Sequence, residues 1–389
     1  MEHILRCHDL VPMNLVRGEN ACLYDDGGKR YVDFESGCWA AGLGHGHPRI
    51  NRVMKAQVDR VIHLGTRYPN AVAEAAAIDI LEIVGIKNGK CVFLSSGSEA
   101  VEFGVQIARR VTAKPLLLTF ASSYLAAFGS AGKKDPAEWC LLDWSLCTDP
   151  ASSAWLEKIP WDRIGGFVFE PGGSGSESVR FPARHLVQAI AARVRRNGGL
   201  LMANEITTGM GRTGKWFGFQ HYDIQPDLVA IGKGLGNGYP VSAVAMEPAI
   251  AEKLESSGYH YAQSHQNDPL GCAVAKEVIA ILREENWVER GNSTGAHFLE
   301  GLQRLAGKHS VAKEARGRGM LLALEFGPHD SVSAATVFQE LLQHGFFVGC
   351  SPARNFLRFD PCLTMEKSHV DDLLACLDGI LAAGGRAVG

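Results

Sequence analysis

The sequence predicts an α/β protein, with a mostly parallel sheet covered by helices on both faces and a smaller α+β domain at the C-terminal end. Three observations carry this. From Cys91 onward, short β-prone apolar runs recur. Segments of helical period separate them, which is the signature of a crossover-connected parallel sheet. Beyond about residue 273 the pattern changes to longer helices.

Taken in chain order, the first twenty residues, MEHILRCHDLVPMNLVRGEN, break every apolar run with a charge or a proline. That fits neither a signal peptide nor a membrane span, and the arm reads as ordered chain. The turn-rich stretch LYDDGGKRYVDF predicts a small hairpin. Ile50, Val53, Met54, Val58 and Val61 then fall on one face of an amphipathic helix. Strands follow at CVFL (from 91), LLLT (116), FVF (167), LLM (200) and LVAI (228). Val101, Val105 and Ala108 predict a helix after the first of these. Val187, Ile190, Ala191 and Val194 predict another after Pro182, stopping at Gly198-Gly199. Val370, Leu373, Leu374, Leu377 and Leu381 mark the last helix. The expected division is an N-terminal segment over 1–46 that packs with the small domain, a large domain over 47–272, and the small domain over 273–389.

A chain of 389 residues with 46% hydrophobic content can bury a large core. Its net charge of -3, with both signs interspersed, lacks the electrostatic footprint of a nucleic-acid or membrane-surface binder, so a small-molecule partner is expected. The ten cysteines show no C-x-x-C pair and read as free or buried thiols of a reducing compartment, which places the protein in the cytoplasm.

Several segments bear chemistry. The strand at CVFL runs into Ser95-Ser96-Gly97-Ser98-Glu99-Ala100 and directly into a helix, a turn that can hold a phosphate on free N–H groups. Simple N-capping by Ser96 or Ser98, with Glu99 in the first turn, explains the same residues equally well. Gly209-x-Gly211-x-x-Gly214, with Asp227 further on, matches a dinucleotide fingerprint formally, yet Lys215-Trp216-Phe217-Gly218-Phe219 follows where an amphipathic helix is required. Lys233, in AIGKGLGNGYP, follows an apolar strand and is flanked by glycines. Burial there would lower its pKa toward the neutral amine that attacks an aldehyde, whereas a lysine considered alone is more often a solvated loop residue. His45-x-His47, His260 and His265 have poor spacing for a metal, and no metal is expected.

In order, these segments resemble the class III pyridoxal-phosphate aminotransferases, the group of ornithine, acetylornithine and 4-aminobutyrate aminotransferases. The resemblance begins at Arg17-Gly18-Glu19 and Tyr31-Val32-Asp33-Phe34, and passes Gly44-His45-Gly46-His47-Pro48 and Ser96-Gly97-Ser98-Glu99-Ala100 to Glu170-Pro171. It continues through Glu205, Thr208-Gly209-x-Gly211-Arg212-Thr213-Gly214, Pro226-Asp227, Gly232-Lys233-Gly234 and Gly238-Tyr239-Pro240 to Pro269-Leu270 and Arg316-Gly317-x-Gly319. It implies the aspartate-aminotransferase fold, fold type I, with a seven-stranded kind of sheet in the large domain and two active sites at a homodimer interface. It also implies pyridoxal 5'-phosphate as cofactor and an amino acid or amine with a 2-oxo acid as substrates. Lys233 would carry the cofactor as a Schiff base and shuttle the proton. Ser96, Gly97 and Ser98 would bind its phosphate, joined by Ser264 from the neighbouring subunit. Tyr124 would stack on the ring, in a pocket that Glu170, Asn204, Ile206 and Thr207 complete. Arg358 would grip the substrate carboxylate, for which a guanidinium fork is suited, although a surface ion pair is its alternative reading. Trp39 and Tyr68 are candidates for the substrate pocket, where an aromatic is as often core packing.

The chain departs from the family pattern at four places. Asn204 stands where the family has an aspartate paired with the pyridine nitrogen, and an amide cannot supply that charge. Thr207 replaces a glutamine, and Leu125-Ala126 replace His-Gly. Gly175 replaces a glutamate that closes the carboxylate-binding arginine between half-reactions, so Arg358 is expected to stay open to a carboxylate at every step. The ring environment of Asn204 leaves a racemase or epimerase as an alternative to transamination. A pseudo-enzyme that keeps the cofactor turn is an alternative of another class, against which the retention of both Lys233 and Arg358 speaks.

Overall fold

The computed structural model describes residues 3–8, 10–143, 153–172, 179–329 and 332–384. Among these residues, the strands form a seven-stranded sheet and two four-stranded sheets. The large sheet runs in the order Lys90–Leu94, Ser242–Met246, Leu228–Ile231, Leu200–Asn204, Ile164–Phe169, Leu116–Phe120, Trp139–Leu142. The last five are mutually parallel. Ser242–Met246 is antiparallel to both of its neighbours, so Lys90–Leu94 points the same way as the rest. All five anticipated strands are present. Trp139–Leu142 and Ser242–Met246 were not anticipated, because WCLL has no β-branched residue and SAVAM only one.

Helices cover the sheet where the periodicity places them. Gly97–Thr112 buries Ala100, Val101, Phe103, Val105, Ile107 and Ala108, and Arg184–Arg196 buries Leu186, Val187, Ile190, Ala191 and Val194. The early helix is shorter than expected. Pro48–Val58 ends at Asp59, and the buried Gln57 side chain donates to Val61 O at 2.7 Å, which holds Val61 in the turn beyond it. Pro269–Glu284 runs across the 272/273 position, and Lys367–Gly384 closes the chain with the expected apolar stripe buried.

One small sheet is antiparallel throughout, in the order Ala312–Arg318, Leu321–Phe326, Phe356–Phe359, Gly349–Ser351. In the other, the hairpin of Cys22–Asp25 and Arg30–Asp33 gains Leu15–Glu19 on one edge and, in parallel, Phe346–Phe347 on the opposite edge. The N-terminal hairpin is thus stitched to a strand more than 300 residues away. Phe34 seals that joint, with its ring centroid 5.5 Å from Phe298 and 6.2 Å from Phe346, while Phe298 lies 5.1 Å from Phe359. Burying these rings fixes the chain after Phe34 against the strand that carries Arg358. Among the described residues no helix is long and apolar enough to cross a membrane.

Candidate active site

The carboxyl ends of the sheet strands converge, the position where open α/β sheets bind ligands. Leu94 leads into Ser95 and Ser96, Phe169 into Glu170, Asn204 closes its strand, and Ile231 leads through Gly232 to Lys233. Lys233 opens a short 3-10 turn with φ 43°, a left-handed conformation that a side chain adopts only under constraint. It is mostly buried, and burial holds its ammonium below the ordinary lysine value against the pull of Glu170, Cys38 and Asp360.

A single indole joins this lysine to the small sheet. Lys233 Nζ stands 5.2 Å from the Trp39 ring centroid, and the Arg358 guanidinium carbon stands 3.9 Å from it. Arg358 is only 8% exposed, which excludes the surface ion pair. Gly349, on the adjacent strand, lets the guanidinium lie flat: a Cβ there would come within 2.9 Å of Nη2 and 3.0 Å of Cζ. The Arg358 fork is therefore packed between Gly349 and Trp39.

Trp39 reaches this place through an unusual backbone. Ser36, Gly37, Cys38 and Trp39 all have φ between 42° and 70°, one turn of left-handed helix. Each non-glycine residue there costs roughly 1–2 kcal/mol, so the surroundings must impose the conformation. Asp33 Oδ1 accepts the N–H groups of Glu35 (2.8 Å) and Ser36 (2.9 Å), while His45 Nε2 holds its other oxygen at 2.7 Å. The Ser36 hydroxyl donates to Asp360 O at 2.6 Å and accepts from Arg212 Nη2 at 3.1 Å. Arg212, fully enclosed, also donates to Met320 O and Pro361 O. The resembling motif Thr208-Gly209-x-Gly211-Arg212-Thr213-Gly214 is here a clamp on this turn, and only the short 3-10 turn Gly218–His221 follows it, where a dinucleotide site requires an amphipathic α-helix. Glu205 anchors the same loop by accepting from Thr208 Oγ1 (2.7 Å), Gly218 N (2.8 Å) and Phe219 N (2.7 Å), although burial pushes its carboxyl up to about 7.

The residues present fit pyridoxal phosphate. Ser96 is the N-cap of Gly97–Thr112: its hydroxyl accepts from Glu99 N at 3.2 Å, and the Glu99 carboxylate takes Ser95 N and Ser96 N. Capping thus consumes the Ser96 side chain, while the first-turn N–H groups of Gly97 and Ser98 have no acceptor within the helix and suit a phosphate. Ser98 Oγ accepts from Ala127 N at 2.9 Å and keeps its own hydrogen to donate. Ile206 packs on both glycines of the floor, for a Cβ on Gly97 would meet it at 2.7 Å and one on Gly232 at 3.0 Å. The turn at Ser96–Ser98, Ile206 and the lysine loop are thereby one surface.

Around that floor, Asn204 Nδ2 donates to Tyr124 O at 3.1 Å and its Oδ1 accepts from Ile206 N at 3.3 Å. Thr207 Oγ1 reaches Glu170 Oε1 at 3.4 Å. Tyr124 is 51% exposed, whereas Leu125 and Ala126 are buried in the core cluster around Gly97–Thr112. Ser264 is exposed in the loop before Pro269–Glu284. Tyr68, 68% exposed, lines a cleft with Arg67, Asn70, Phe93 and Asn267, and makes none of the contacts that join Trp39, Lys233 and Arg358.

One expectation changes, for Arg358 is not open: Nη2 donates to Glu35 Oε1 and Nε to Asp360 Oδ1, both at 2.8 Å. Gly175 lies outside the described residues. Glu35 and Gly349 were missed by the sequence reading, since nothing in DFESG or FVGCS marks either beforehand. His265 meets His63 on Asp268, at 2.6 and 2.7 Å, a grouping that their separation of about two hundred residues hides.

The family model described as Aminotransferase class-III matches residues 5–128 and 147–381. An acetylornithine aminotransferase of Methanopyrus kandleri is 30% identical over 388 residues, covering 98% of this chain and 97% of that one. Another, of Caldanaerobacter subterraneus subsp. tengcongensis, is 28% identical with 98% of each covered. Among solved structures, an S-selective transaminase from Arthrobacter sp. superposes with a TM-score of 0.90 at 24% identity, over 98% of this chain and 96% of that chain, a likeness of fold.

Proposed function

The chain belongs to the class III aminotransferases, and from that premise we propose how its residues carry out transamination between an amino acid or amine and a 2-oxo acid. Pyridoxal phosphate supplies the aldehyde that accepts the donor's amino group and returns it to the 2-oxo acid. The observation that carries the assignment of roles is the shared contact of Lys233 and Arg358 with Trp39. Lys233, its pKa lowered by burial, bonds the cofactor and moves the proton at the substrate Cα. Arg358 orients the carboxylate, and Trp39 covers the fork and limits water. Gly97 N, Ser98 N and the Ser98 hydroxyl would hold the phosphate, and Ile206 and Tyr124 would line the place of the ring. Asn204 would meet the ring nitrogen as a neutral donor, a role that its remaining Nδ2 hydrogen allows.

The named relatives act on acetylornithine, so an N-acylated diamino acid is our first donor to test. We further propose a homodimer in which exposed Ser264 serves the neighbouring phosphate. We also propose a reducing, cytoplasmic setting, in keeping with the unpaired state of the described cysteines. Asn204 favours one second reading, racemisation, which needs less electron withdrawal by the ring. A panel of L- and D-amino donors with 2-oxo acid acceptors, assayed for both 2-oxo acid release and optical purity, separates the two. Release that Lys233→Ala abolishes supports transamination; loss of optical purity without release replaces it with racemisation.

A further inference from the structure

Arg358 already serves two carboxylates, Glu35 and Asp360. A third, arriving on a substrate, would leave a buried cluster with more negative charge than its guanidinium can balance, which a poorly solvated site tolerates badly. Asp360 is fixed: it is fully buried, its N–H donates to Phe34 O, and its carbonyl accepts from Ser36. Its second oxygen, Oδ2, has no hydrogen-bond partner, so the charge there is already incompletely matched. Glu35 is the carboxylate that can yield, because its side chain is 31% exposed and sits at the start of the left-handed turn.

The groups facing Glu35 come from every neighbouring element. Asp33 and Cys38 belong to its own segment, and His45 is bound to Asp33. Arg358, Asp360 and Cys350 come from the small sheet and the chain that follows it. Arg212 bears on Asp33 and Asp360 from behind, and Lys233 bears on Cys38. Burial, reinforced by Asp360 and opposed by Arg358, raises the Glu35 carboxyl to about 7.

We propose that Glu35 is the specificity-determining gate on Arg358, a positioning residue that gives way by protonation when a substrate carboxylate arrives, so that carboxylate binding takes up one proton. The inference rests on the reading of Arg358 as the carboxylate site. The ionised Glu35 competes with the substrate for one guanidinium; once protonated it no longer does. When no carboxylate is offered, the Glu35–Arg358 pair keeps the guanidinium engaged and presents no free positive charge to an amine. The gate comes from the N-terminal segment, 140 positions before Gly175 in the sequence.

The test measures KM and kcat for a 2-oxo acid acceptor, drawn from pyruvate, 2-oxoglutarate and glyoxylate, between about pH 6 and 9. In the wild type, KM should rise about tenfold per pH unit above the Glu35 pKa while kcat moves little. Glu35→Gln should flatten that rise and lower KM at the alkaline end, and Glu35→Asp should retain it. Apart from turnover, mixing the holoenzyme with 2-oxoglutarate in weak buffer containing an indicator dye should show proton uptake in the wild type and none in Glu35→Gln. A flat wild-type KM without proton uptake overturns the gate even if Glu35→Gln fails to fold. If Arg358→Ala leaves KM unchanged, the carboxylate reading falls and the gate with it. If Arg358→Ala raises KM but Glu35→Gln keeps the pH slope, the gate alone falls.

Discussion

At the scale of single residues, function turns on what lies beside each charged group. Gly349 is the clearest case, because its missing side chain is the space in which the Arg358 guanidinium rests. Gly349→Ala is expected to displace the fork and raise KM for the 2-oxo acid about tenfold, the equivalent of about 1.4 kcal/mol, with kcat nearly unchanged. Steady-state kinetics at fixed pH checks this, and an equal fall in kcat would argue that the glycine supports the fold more broadly. Asn204 makes a second case. Asn204→Asp would place a carboxylate by the ring nitrogen and should raise turnover about tenfold. It also forfeits the bond to Tyr124 O, which should cost about 1 kcal/mol in urea unfolding. An unchanged rate would remove Asn204 from the ring.

At the scale of elements, the left-handed turn of Ser36–Trp39 is the least expected feature. Its strain is sustained by Asp33, Arg212 and the Asp360 carbonyl, and it delivers Glu35 and Trp39 to the site. Cys38→Gly, which accepts φ 57° without a Cβ conflict, should raise thermal stability by about 1 kcal/mol, measured by calorimetry. A destabilised variant would mean that the Cys38 side chain matters more than its backbone. This turn was not legible in the sequence, since Ser-Gly-Cys-Trp contains one glycine where four left-handed residues are needed. The strands that carry Lys233, Asn204 and Glu170 were legible, because buried parallel strands read as continuous apolar runs. Lys233 stood out by the same logic, as a lysine directly beyond such a run. Arg358 was found through the family motif alone, and its partner Glu35 lies 323 positions away, beyond any local pattern.

At the scale of the whole molecule, the site needs both sheet systems. The large sheet supplies the proposed phosphate turn and the proposed cofactor lysine, and the antiparallel small sheet supplies the arginine. The N-terminal hairpin, tied to Phe346–Phe347, brings Glu35 and Trp39 between them. If the proposed homodimer forms, light scattering should return twice the 42.0 kDa chain mass. Ser264→Ala should then weaken cofactor retention on dialysis, and a monomer that retains the cofactor fully would contradict the shared site.

The most direct test is the absorbance spectrum of the cofactor-loaded protein, recorded for the wild type and for Lys233→Ala before and after an amino donor is added. The band of lysine-bound cofactor should be present in the wild type and missing in the variant. In the wild type, the donor should convert it to the amine form of the cofactor with release of a 2-oxo acid. An identical band in Lys233→Ala, or a wild-type band that no donor alters, would contradict the assignment of Lys233 as the residue that carries the chemistry.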